Sequence, residues 1–107
     1  MSDATATTHF IGDGPKRFAL PADRIVELER ATGVGIGALS RRVFAGDFSF
    51  RDLRETVRIG LVGGGMPPED AARLVALYVD GRPLQEAHPI AVAVLEAAWF
   101  GKAGDPA

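Results

Sequence analysis

Residues 47–79, DFSFRDLRETVRIGLVGGGMPPEDAARLVALYV, read as helix, glycine hinge, helix. Ser49 is a strong N-cap, with Asp52 three residues on, where a capping box places an acid. Phe50, Leu53, Val57 and Leu61 then recur at the spacing of an amphipathic helix. Gly63, Gly64 and Gly65 end that helix, because glycine favours left-handed caps and disfavours helix interiors. Pro67, Pro68, Glu69 and Asp70 open the next, with proline tolerated in a first turn and carboxylates meeting the positive end of the helix dipole. Ala71, Leu74, Val75 and Tyr78 supply its apolar stripe. Two helices joined by a short hinge must lie on each other or on a third, so this pair is the expected core.

Outward from this stretch, residues 7–20 read as a β-hairpin turning at Gly12-Asp13-Gly14-Pro15, with Asp-Gly as the two-residue turn signal. A lone hairpin is marginal in water and should rest on the helices. Pro21 begins a helix to Thr32 that Gly33 stops, with Ile25, Val26 and Leu28 on its buried side. A further helix spans residues 36–45 on Ile36, Leu39 and Val43, ended by Gly46. The glycines at 33, 35 and 37 are not a dinucleotide fingerprint, since they follow a helix rather than a strand. Residues 80–83 break the chain, and Pro89 starts or kinks a last helix over residues 90–100, where only Glu96 is charged. A helix apolar nearly all round is covered by its own fold or by a partner. The expected architecture is mainly α (α+β): an N-terminal β-hairpin packed on a compact bundle of four to five short helices. Residues 7–101 form one domain, residues 1–6 are read as a disordered N-terminus and residues 102–107 as a flexible tail.

The chain of 107 residues is long enough for one modest core, and its 47% apolar and 24% charged content is that of a soluble globular domain. A formal charge of -2 argues against a whole-molecule pull on nucleic acid. With no cysteine, disulfide and thiolate chemistry are absent. No signal sequence or membrane span is read, so the expected compartment is the cytoplasm. His9 and His88 have no partner at ligand spacing, and the acids Asp52, Glu55, Glu69 and Asp70 read as helix-start residues rather than an acid–base pair. No metal site, cofactor or catalytic group is expected, and the chain is read as a non-enzyme.

The candidate partner-binding residues are of two kinds. Val92, Leu95 and Trp99 share one face of the last helix, with Phe100 beside them; core packing is the better reading for Val92 and Leu95, while tryptophan is a common interface anchor. Arg51, Arg54 and Arg58 give residues 41–58 five arginines against three acids, whereas the chain from Met66 onward carries six acids against three bases. Such arginines suit an ordinary solvated face, the rim of a protein interface, or alternatively the phosphate contacts of a small helix-turn-helix regulator. Against the latter, Arg51 and Glu55 can pair at i, i+4, and the helix after the hinge starts acidic.

Residues 16–101 as a whole resemble the small tail assembly chaperones encoded beside the tail genes of gene transfer agents and related siphophage-like prophages. The resemblance is carried by Leu28-Glu29 through Gly33, Phe48 through Leu53, the hinge Gly63 to Gly65 with Glu69, Tyr78-Val79-Asp80 with Pro83-Leu84, and Ala97 to Gly101. These are packing and capping residues rather than a catalytic signature. The resemblance implies a tail assembly chaperone that binds the tape measure protein, brings the major tail tube protein to it and self-associates along it. Helix-in-groove burial with charged rims would serve such binding.

Overall fold

The computed structural model describes residues 4–101. Two antiparallel strands, β1 (Thr7–Ile11) and β2 (Gly14–Phe18), precede five helices: α1 (Ala22–Thr32), α2 (Ile36–Ala45), α3 (Phe50–Gly63), α4 (Pro68–Tyr78) and α5 (Leu84–Phe100). This is the mainly α arrangement expected from the sequence, with the hairpin resting on the helices. Ile11 pairs with Gly14, which makes Gly12 and Asp13 the two turn residues rather than Asp13 and Gly14. Gly12 holds the positive φ, at 70°, and the Tyr78 ring packs so closely beneath it that a Cβ would lie 2.7 Å from the ring. The tight turn and the aromatic contact both select glycine at that one position.

The axis of the molecule is α3, which touches α1, α2, α4, α5 and β2. Its capping box forms as the sequence predicts: Ser49 Oγ accepts from the Asp52 N–H and the Asp52 carboxylate accepts from the Ser49 N–H, both at 3.0 Å. Leu53, Val57 and Leu61 are fully buried, but so are Thr56, Ile59 and Gly60, so α3 is enclosed on two sides rather than one. The core is thus one helix surrounded by the others, not the α3–α4 pair; α4 lies along one flank through Ala71, Leu74 and Val75. Phe50, read as part of the stripe, is exposed, because at the first helical position it precedes the turn that enters the core. Val26, read as buried in α1, is exposed as well; Leu28 alone in that helix is fully enclosed.

The glycine hinge has a second purpose that capping does not explain. A Cβ on Gly63 would stand 1.9 Å from the Ala19 carbonyl oxygen, and one on Gly64 would stand 2.0 Å from that of Arg17. The end of α3 therefore runs against the outer edge of β2, where the Ala19 N–H donates to the Gly60 carbonyl at 3.0 Å. Only a residue without a side chain permits that approach.

The last helix starts six residues before Ile90, at Leu84, and carries Pro89 inside it. Pro89 lacks the N–H that would bond the Gln85 carbonyl, a loss that the first turns tolerate next to tertiary anchors. His88 supplies such an anchor, with Nε2 2.7 Å from the Val43 carbonyl and its ring stacked on Phe48 at 4.9 Å. Of the segment read as a disordered N-terminus, residues 1–3 lie outside the described residues, as does the expected tail at 102–107. Residues 4–6 depart from that reading: Ala6 is buried and Thr5 Oγ1 accepts from the Leu20 N–H at 3.0 Å.

Candidate partner-binding surface

The structure separates the four residues singled out on α5. Leu95 is fully buried and so does not reach a partner while the fold is intact, whereas Val92 is partly buried against the core and keeps some exposed surface. Trp99 is 55% exposed and Phe100 80% exposed. They diverge: the Trp99 indole Nε1 donates to Ser40 Oγ on α2 at 2.8 Å, whereas Phe100 lies beside Thr7 and His9 of β1. The hydrogen bond satisfies the polar end of Trp99 and fixes the ring, leaving much of its apolar surface facing outward. The over-apolar character of α5 is thus resolved two ways: Ala87, Ala91, Val94, Leu95 and Ala97 are covered by the fold, and the two aromatics at its end are not.

The arginines also separate. Arg58 makes two hydrogen bonds to the Glu55 carboxylate, at 2.8 and 2.9 Å. That bond holds Glu55 below its ordinary carboxylate range and Arg58 above its own. Arg54 bonds Asp80 at 2.9 Å and also reaches Glu55, which ties α3 to the loop after α4. Glu55 therefore pairs with Arg58 and Arg54 rather than with Arg51; among the described residues Arg51 is exposed and makes no ion pair. Arg42 approaches the buried Asp52 at 3.5 Å. The two-signed charge division seen in the sequence is therefore partly cancelled by pairs, and Arg54–Asp80 joins its two halves directly.

A second apolar surface was missed by the sequence. The turn end of β1, the last turn of α4 and the first half of α5 enclose a groove of about 490 Å³, lined by Phe10, Ile11, Leu77, Tyr78, Ala87 and Ile90. Phe10 is 69% exposed and Leu77 59% exposed. Arg82 and Glu86 stand on its rim and bond each other twice at 3.0 Å. A smaller hollow of about 250 Å³ lies between Thr7 and His9 of β1 and Ala93, Glu96, Ala97 and Phe100 near the end of α5. Phe10 looks like a hairpin residue and Leu77 sits off the α4 stripe, so periodicity assigns each to a solvent face. Their convergence depends on how α4 and α5 meet the hairpin, which no local pattern records.

Among the described residues, no three His, Asp or Glu side chains converge as a metal site, and no helix is long and apolar enough to cross a membrane. What the surface offers is apolar area with self-paired charges around it. No curated protein and no solved structure matches the chain. Among protein families, residues 4–101 match the one described as "Phage tail tube protein, GTA-gp10". That match runs from the first described residue to the last, and the chain accordingly belongs to this tail-related family of phages and gene transfer agents.

Proposed function

We propose that the protein is a non-catalytic assembly chaperone of the tail, binding the tape measure protein and helping tail tube subunits assemble around it. The observation that carries this reading is the exposure of Trp99 and Phe100 at the end of an apolar helix, in a chain of a tail-related family. A rigid tryptophan anchored at its N–H and open on its face is the kind of residue that dominates protein interfaces. The test is co-expression with the tape measure protein. The wild type should keep that protein soluble and co-purify with it. A Trp99→Ser, Phe100→Ser double variant of unchanged helical signal should lose both effects. Equal tape measure solubility with and without the chaperone would defeat the reading.

The family's own description favours a second reading, that of a tube component. Finished particles separate the two. A chaperone is missing from them, whereas a tube subunit is present in many copies.

A further inference from the structure

A two-stranded sheet has two outer edges, and this one treats them differently. Counting from the two-residue turn, Ile11, His9 and Thr7 direct their main-chain groups to β2, and Thr8 and Phe10 direct theirs outward. On β2 the outward positions are Pro15 and Arg17, followed by Ala19 beyond the strand's end. These are covered in part: Pro15 has no N–H, the Arg17 carbonyl lies against Gly64, and the Ala19 N–H is bonded to Gly60. The far end of the β2 edge is backed by α3.

The edge of β1 is not. Among the described residues, the N–H and C=O of Thr8 and Phe10 bond to no other element. That edge instead borders the seam between β1 and α5, whose apolar wall is Ala87, Ile90, Ala93 and Phe100. We propose that β1 receives an extended apolar segment of another polypeptide, which adds as a third strand and lays alternate side chains into this seam. The occupant is specified by what the edge presents. A row of unpaired main-chain donors and acceptors is matched along its length by an extended chain whose own backbone is unpaired, which a helix is not. At the groove the rim charges Arg82 and Glu86 are already paired, so that half of the seam favours uncharged side chains, while Glu96 lines the half beside Phe100. A volume of about 490 Å³ fits a few residues of one strand.

The proposal deepens the chaperone reading by naming the mode of contact, and it rests on that reading only for its source of probes. Overlapping synthetic peptides covering the tape measure and tail tube proteins serve as ligands. Wild type should retain apolar peptides and, with them bound, protect the Thr8 and Phe10 amides from exchange. Phe10→Pro removes an outward N–H that β2 does not use, and it leaves His9 in the extended conformation that proline imposes on its predecessor. Its hairpin is verified by undiminished protection of the His9 and Lys16 amides, and Thr8→Pro replaces it if that protection is lost. Peptide affinity should fall roughly fivefold to tenfold in the proline variant, the worth of a main-chain hydrogen bond, and not in Phe10→Val. The proposal is overturned if no peptide is retained, if Phe10→Pro binds as wild type does, or if the retained peptides are helical when bound. Self-association that Phe10→Pro abolishes would assign the edge to a second copy and overturn it too. Intact retention of full-length tape measure protein by Phe10→Pro would remove this contact while leaving the chaperone reading standing.

Discussion

Gly63 and Gly64 show most sharply how a single side chain would alter this fold. Either Cβ would meet a carbonyl oxygen at about half the normal contact distance, and that oxygen is main chain, which cannot rotate aside. Gly64→Ala is expected to lower stability by about 3 kcal/mol or to displace β2 from α3. Gly81→Ala, with open space around it and no positive φ, should change stability by less than about 0.5 kcal/mol. Urea denaturation of the two variants gives the comparison directly. Ser49→Ala, which removes half of the capping box, should cost about 1 kcal/mol in the same assay. The sequence carried the cap in full, because capping depends on four consecutive residues. It carried the glycines but not their reason, since contact with Arg17 and Ala19 is made across more than forty residues of chain.

At the scale of elements, the acid response should be divided between the hairpin and α3. Burial lowers the pKa of His9 in β1 from 6.5, so the unfolded chain binds the proton more readily. The stability His9 contributes is present above that value and declines as pH falls below it. Glu55 in α3, held down by Arg58, contributes stability that is complete above its ordinary value of 4.5 and is lost as pH falls through its lowered one. Thermal melts across pH 7 to 3 should therefore show two declines, and Glu55→Gln should flatten only the more acid one. Helix periodicity placed α1 to α4 to within a residue or so of their observed ends. It misplaced the start of α5 because Pro89 reads as a boundary, while His88, Phe48 and Val43 together hold the preceding turn in the helix. Those are tertiary contacts, and no window of sequence contains them.

For the whole molecule, the legible part was the class of fold and the presence of apolar surface in excess of what the core uses. Trp99 and Phe100 were found because α5 is over-apolar, and Leu95, for which core packing is the better reading of the sequence, is indeed enclosed on the side that α2 and α3 cover. The edge of β1 was invisible, because no local pattern records how the helices meet the hairpin. A polar substitution at Leu95 is expected to cost about 3 kcal/mol or more, as a cavity and an unpaired group in the core, and so reports on folding. Phe100→Ser should leave the melting temperature within a few degrees of wild type, so its effect on tape measure retention reports on binding. The contact of α3 with the edge of β2 also limits how far strand addition can proceed. A sheet open on both sides can template the next copy and the next, which is the geometry of a fibril. Here α3 stands against one side, so copies of the chain cannot template one another through both edges of the hairpin. Open-ended polymerisation by that route is thereby disfavoured.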